Sequence, residues 1–317
     1  MNRRRFLQST GAAGFLGAAG VSCAGRRVDA DALPPFPIVD THVHFWDLQH
    51  LDYPWVKGSP VLERSYSPED YTAAIAPVAV EKVVFVEAAC AAGQKMAEVE
   101  WVTALAEAHP RIQGIVANAP LERGRAVRPV LETLAANPLV KGIRSSIPKT
   151  AGTPPAFPSA FIEGVRLLER VGFTFEIGVG RARLPEALGL ARKCPGVRFM
   201  INHIGVPDIA GGVLDPWRQH MRELAELPNV FCKMSGAATA ADREHWTPED
   251  LEPALAHVIE CFGFERTAFG SDWPVMLLAT SYPRWVRAAM WAVQGCSRRE
   301  LRRLFRDTAI DFYRLPA

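Results

Sequence analysis

A chain of 317 residues with 49% hydrophobic side chains holds enough apolar mass for one large core or two small ones. Its 36 Lys+Arg nearly balance 34 Asp+Glu, and three of the basic residues, Arg3 to Arg5, lie at the very start, which excludes the strongly basic character expected of a nucleic-acid partner. After Cys23 the cysteines are Cys90, Cys194, Cys232, Cys261 and Cys296, none spaced C-x-x-C, so a disulfide scaffold or zinc ribbon is not expected and most read as buried apolar fillers.

Residues 1–25 read as an export signal. Arg3-Arg4-Arg5-Phe6-Leu7 fits the twin-arginine pattern, the small-residue apolar stretch from Gly11 to Val21 is too short to span a bilayer, and Ser22-Cys23-Ala24 offers a small-x-small cleavage site. The expectation is delivery by the twin-arginine export machinery to the periplasm or cell envelope. Gly20 stands where a lipid-anchor motif carries Leu, which argues against a lipidated Cys23. Residues 26–35 read as a linker stiffened by Pro34 and Pro35.

From residue 36 to 317, short apolar runs alternate with longer amphipathic ones. The runs cover 36–40, 82–88, 112–119, 140–145, 174–179, 198–204, 230–235 and 267–272. Several are apolar nearly throughout, as strands covered on both faces should be. Helical patterns follow over 96–109, 127–136, 160–171, 185–193, 216–227, 248–261, 282–293 and 297–313, several with proline in the first turn, and Gly172 and Gly263 mark stops. Eight strand signals alternating with helices predict a single-domain α/β fold, the (β/α)₈ TIM barrel. A doubly wound open sheet would give the two ends of the chain no reason to meet.

The candidate chemistry lies at the exits of these runs. His42 and His44 are two residues apart, so on a strand both imidazoles face the same way. Barrel closure brings them beside Asp272, which ends the eighth run, and His203 ends the sixth. Asp272 suits a general base, or a metal ligand completing a set with His42 and His44. Arg144 ends the fourth run, where a guanidinium can grip a carboxylate or carbonyl oxygen by two hydrogen bonds. Glu87 and Glu176, on the second and fifth, are candidates for metal or sugar-hydroxyl contacts, and Trp46, Tyr53 and Trp273 for the walls of a ring-binding pocket. Tyr282, Trp285, Val286, Met290 and Trp291 either cover the barrel or form a subunit contact, leaving an oligomer open.

The ordered motifs Asp40-x-His42-x-His44-Phe45-Trp46-Asp47, Tyr53-Pro54-Trp55, His203-Ile204-Gly205-x-Pro207, Asn229-Val230-Phe231-Cys232-Lys233-Met234-Ser235-Gly236 and Phe269-Gly270-Ser271-Asp272-Trp273-Pro274 resemble the amidohydrolase-2 branch of the amidohydrolase superfamily. The chain looks most like its L-fuconolactonase, L-rhamnonolactonase and 2-pyrone-4,6-dicarboxylate lactonase group, over residues 36–315. That resemblance implies a barrel with its site at the strand ends, and it maps His42, His44, His203 and Asp272 onto the family's site. Two-metal members carry a bridging lysine or glutamate ending strand four and a histidine ending strand five. Here those places hold Arg144-Ser145-Ser146 and Glu176, so the expectation is one divalent ion at most, zinc or manganese on His42, His44, Glu87 and Asp272, with a metal-free site left open. Many relatives have Gln on strand two and Arg-His ending strand four; Glu87 and Ser145 depart from that.

The resulting expectation is a hydrolase opening a sugar-acid or dicarboxylate lactone. Asp272 takes a proton from water, and His203, Arg144 or a single ion stabilises the oxyanion. The rivals are a metal-dependent decarboxylase of the same family and an exported sugar-acid-binding protein without turnover.

Overall fold

The structure is a computed structural model that describes residues 32–149 and 155–316. The expected signal, Cys23 and the linker up to residue 31 lie outside the described residues.

Eight parallel strands form one sheet in strict chain order. They are β1 (Ile38–Val43), β2 (Val80–Val86), β3 (Ile112–Ala117), β4 (Val140–Arg144), β5 (Thr174–Ile177), β6 (Phe199–Ile201), β7 (Val230–Met234) and β8 (Thr267–Phe269). The sheet closes just beyond β8. Val43 bridges Trp273 in parallel, the Asp272 N–H donates to the His42 carbonyl at 2.8 Å, and the His44 N–H donates to the Trp273 carbonyl at 2.8 Å. The expected (β/α)₈ barrel is therefore present, sealed by the segment that carries the candidate site.

The helices are α1 (Pro68–Ile75), α2 (Lys95–Ala108), α3 (Arg128–Ala135), α4 (Ser159–Val171), α5 (Leu184–Lys193), α6 (Trp217–Ala225), the short α7 (Ala237–Ala240), α8 (Pro248–Phe262), α9 (Tyr282–Ala292), α10 (Arg298–Arg302) and α11 (Thr308–Tyr313). Most match the periodicity to within a residue or two. The exceptions are the short α7 and α1, which the sequence reading passes over although Ser67 and Asp70 form a capping box around Pro68. The expected helix over 297–313 is divided by a π-turn at Arg303–Asp307. Tyr282, Trp285, Val286 and Met290 of α9 are buried within this chain, so they cover the barrel.

The barrel interior is filled by Val39, Val84, Val86, Val116, Met200 and Ala268, packed against Ala309, Phe312, Tyr313 and Leu315 from the C-terminal segment. That segment plugs the amino-terminal mouth. Arg198, at the foot of β6, donates to the Asp311 and Phe312 carbonyls. With the amino-terminal mouth filled in this way, a site is expected at the carboxyl ends of the strands. Cys90, Cys194 and Cys232 are buried free thiols, in keeping with filler roles. No helix among the described residues is long and apolar enough to cross a membrane.

Candidate active site

His42 lies on β1 and is fully buried, with His44 two residues on. The expected sixth and eighth strands stop early. β6 ends at Ile201, and His203 sits in a tight turn with φ +52°; β8 ends at Phe269, and Asp272 has φ +63°. Left-handed backbone at non-glycine residues is uncommon and needs support from its surroundings. Two glycines supply room. A Cβ at Gly236, itself at φ +67°, would lie 2.7 Å from the His203 Cβ, and one at Gly270 would lie 3.0 Å from the His42 Cβ.

Asp272 is the convergence point. Its Oδ1 lies 3.6 Å from His42 Nε2 and 3.4 Å from His44 Nε2, and its Oδ2 lies 3.9 Å from His203 Nδ1. The His42 ring centroid is 4.9 Å from that of His44 and 4.6 Å from that of His203. Burial pushes the Asp272 pKa up, but the His203 charge, the His44 hydrogen bond and charge, and the Arg144 charge together take it below the ordinary carboxylate value. Burial drives both His42 and His203 the other way, toward the neutral ring, with the Lys233 charge adding to the effect on His42.

A buried carboxylate holds the seam beneath. Asp40 Oδ1 accepts the N–H groups of Ser271 at 2.8 Å and His42 at 3.2 Å, while Oδ2 accepts the hydroxyls of Tyr71 at 2.9 Å and Tyr282 at 3.1 Å. His44 Nδ1 donates to the Val86 carbonyl at 2.7 Å, which turns its Nε2 toward Asp272. His203 Nδ1 meets Ser235 Oγ at 3.0 Å.

Arg144 lies beside the histidine cluster, and Glu87 holds it there. Arg144 Nε donates to Glu87 Oε1 at 2.9 Å, Nη2 donates to the Glu87 carbonyl, and Nη1 lies 3.5 Å from His42 Nε2. Lys95 Nζ occupies Glu87 Oε2 at 3.0 Å. The expected metal role of Glu87 is therefore corrected: both its oxygens are committed to cations. Glu176 is likewise not placed for substrate. It is fully buried inside the barrel, paired with Lys233 Nζ at 2.8 and 2.9 Å and accepting the Tyr313 hydroxyl. Trp46, Tyr53 and Trp273 are buried in the core, Trp46 against Tyr53 and Tyr66, and Trp273 against Phe45 and Tyr71, so all three pack the fold instead of walling a pocket.

A cavity of about 790 Å³ opens over the ends of β2 to β5, lined by Glu87, Lys95, Asn118, Arg123, Arg144 and Ser145 among others. Its size suits a small ligand, and Arg144 joins its wall to the histidine cluster.

Lys233 on β7 is the functional-site residue that sequence reasoning missed. Its ammonium is fully buried and also touches the Thr41 carbonyl at 2.8 Å and His42 Nδ1 at 3.1 Å. The available signal was one lysine in an otherwise apolar strand run, which inside a barrel demands a carboxylate.

A closed parallel barrel with these imidazoles, one carboxylate and one guanidinium at its carboxyl mouth defines a TIM-barrel hydrolase. Residues 39–315 match the amidohydrolase family model Amidohydro_2, and the chain belongs to that family. An L-fucono-1,5-lactonase of Burkholderia multivorans is 31% identical over 290 residues, covering 88% of this chain and 96% of that protein. A solved amidohydrolase from Burkholderia multivorans with bound zinc superposes with TM-score 0.79 at 30% identity, covering 89% of this chain and all of that one. A 5-carboxyvanillate decarboxylase from Novosphingobium aromaticivorans, solved with manganese, shares the fold at 15% identity and TM-score 0.61, with 89% of this chain and 97% of that one covered.

Among the described residues one group, His42, His203 and Asp272, brings possible metal-ligand atoms within 4.8 Å of one another, enough for a single ion. His44 is not part of that group. The fit turns on His42. A ligand nitrogen must be bare, and His42 Nδ1 faces the Lys233 ammonium, which can only donate, so an ion on Nε2, the nitrogen turned to Asp272, would require this pair to give up a proton. The spacing suits an ion; the Lys233 ammonium against His42 opposes one.

Proposed function

We propose that this chain hydrolyses the ester bond of a sugar-acid or dicarboxylate lactone, with Asp272 as general base. The observation that carries the reading is Asp272 itself, held below the ordinary carboxylate pKa and ringed by three imidazoles, one of which, His42, lies 3.5 Å from the Arg144 guanidinium that walls the cavity. Its kinship with the L-fucono-1,5-lactonase supports the substrate class.

In this mechanism Asp272 takes a proton from a water as the oxygen attacks the lactone carbonyl carbon. Negative charge gathers on the carbonyl oxygen, where Arg144 Nη1 and His203 supply hydrogen bonds or positive charge. Collapse of the tetrahedral intermediate breaks the ring C–O bond, and Asp272 returns its proton to the leaving alkoxide. Glu87 keeps Arg144 from swinging away, and Arg144 and Lys95 together keep Glu87 ionised against its burial. No step is routed through a metal, because the Lys233 ammonium on His42 Nδ1 opposes one. Delivery to the periplasm by the twin-arginine route belongs to the same proposal and rests on Arg3-Arg4-Arg5-Phe6-Leu7.

The test is proton release on a panel of sugar and dicarboxylate lactones, with and without chelator. Turnover that survives chelation supports the reading. Absence of turnover on every lactone, with carbon dioxide evolved from a carboxylated aromatic, would replace it with the decarboxylase. Calorimetric binding of a sugar acid without product would replace it with a binding protein.

A further inference from the structure

We infer that Lys233 decides which nitrogen of His42 carries the proton, making His42 a hydrogen-bond donor toward the reacting carbonyl. Lys233 is thus a positioning residue acting through His42. The inference deepens the lactonase reading and rests on it for the identity of the reacting group.

The argument begins with the hydrogens available to Lys233. Its Nζ meets the Thr41 carbonyl at 2.8 Å, both Glu176 oxygens at 2.8 and 2.9 Å, and His42 Nδ1 at 3.1 Å. The first two partners only accept. With one hydrogen on Thr41 and one shared between the two carboxylate oxygens, the third faces the ring, and an ammonium has in any case no lone pair to accept a proton from Nδ1. Glu176 demands the ammonium form. It is fully buried, Lys233 is its salt-bridge partner, and it also accepts a tyrosine hydroxyl; its Oε2 lies 4.0 Å from His42 Nδ1, beyond hydrogen-bond reach, with the Lys233 ammonium nearer to that nitrogen. An N–H aimed at Nδ1 requires a lone pair there, so the proton of the neutral ring lies on Nε2.

That Nε2–H faces the mouth. Asp272 Oδ1, an acceptor, is 3.6 Å away, and Arg144 Nη1, a donor, is 3.5 Å away. Arg144 would favour a bare Nε2, but neither distance makes a strong hydrogen bond, and the Lys233 contact is the shortest the ring makes. The neighbouring histidine is anchored through its other face. His44 Nδ1 donates to the Val86 carbonyl at 2.7 Å, so its Nδ1 carries a proton. The Asp-x-His-x-His motif therefore anchors its two rings differently: Lys233 sets a proton of His42 on the mouth side, and the Val86 carbonyl holds one of His44 on the wall side. In the tetrahedral intermediate His42 Nε2–H and Arg144 Nη1 form a pair of donors aimed at one region, the arrangement an oxyanion requires.

The experiment is two-bond ¹H–¹⁵N correlation on full-length protein labelled with ¹⁵N-histidine, with the His42 signals assigned by their loss in His42→Asn. It needs no substrate, so its outcome is separate from that of the lactone panel. The expected result is a neutral His42 with hydrogen on Nε2 and a bare Nδ1. A second sample, Lys233→Met with Glu176→Met, removes both charges and avoids an unpaired buried carboxylate. There the Nδ1 resonance should shift away from its wild-type position, and on any lactone turned over kcat should fall at least about tenfold with KM little changed, as loss of a transition-state donor requires. A wild-type His42 with hydrogen on Nδ1 overturns the inference. So does a folded double variant whose His42 resonances are unmoved.

Discussion

The Asp40 carboxylate accepts the Ser271 N–H at 2.8 Å and so ties the first strand to the loop that presents Asp272. The same carboxylate gathers His42 N–H and the Tyr71 and Tyr282 hydroxyls, all buried. Asp40→Ala leaves these donors without their acceptor. With about 1–3 kcal/mol for each unsatisfied buried group, a loss of roughly 3 kcal/mol or more is expected. Thermal denaturation should show a melting temperature lower by roughly 5–10 °C. Asp40→Asn, which keeps an acceptor oxygen, should lose clearly less. An unchanged melting temperature for Asp40→Ala would mean the seam is held by the backbone alone.

Arg144 and Glu87 act as one device, with the carboxylate holding the guanidinium whose free Nη1 faces the histidines. Arg144→Gln should lower kcat/KM by about 10²–10³, the effect typical of losing an oxyanion donor. Glu87→Gln keeps the shape and loses the charge, so a fall of roughly tenfold is expected, the size of one charge-assisted hydrogen bond. Steady-state kinetics on the two variants would check the order, and equal losses would show that Glu87 does more than position Arg144.

Glu98 on α2 is buried, accepts the Ala88 N–H at 3.1 Å, and has its pKa raised to about 7, first by burial and then by the Glu87 charge. A carboxyl raised in the folded state binds more protons there than in the unfolded chain. It therefore lowers stability as pH rises from its unfolded value through about 7. Glu98→Gln removes that term and keeps an acceptor for Ala88. The variant should match wild type near pH 4.5 and exceed it above pH 7, by an amount on the order of 2–3 kcal/mol. Urea unfolding of both proteins at the two pH values would check this, and a gap independent of pH would contradict it.

The barrel was legible because its strands are buried on both faces and so read as continuous apolar runs, separated by helices with proline at their starts. His203 and Asp272 were legible as polar residues at the exits of such runs, although both stand beyond the strand in left-handed turns that no local pattern announces. The Lys233–Glu176 pair was not, because it joins β7 to β5 across the barrel interior and no local spacing records that contact. Glu87 and Glu176 show why strand-end carboxylates resist reading from sequence: each could face a ligand or a cation of its own chain, and here both take the cation. Trp46, Tyr53 and Trp273 illustrate the same ambiguity for aromatics, since pocket wall and core use the same side chains and only burial separates them.

The measurement that bears most directly on the account is lactone hydrolysis by Asp272→Asn beside wild type, followed as proton release in the presence of chelator. Asn is nearly isosteric with Asp and cannot act as a base. The account predicts a kcat lower by about 10³ or more with an unchanged melting temperature. Near-normal turnover by that variant would contradict it and remove Asp272 from the chemistry.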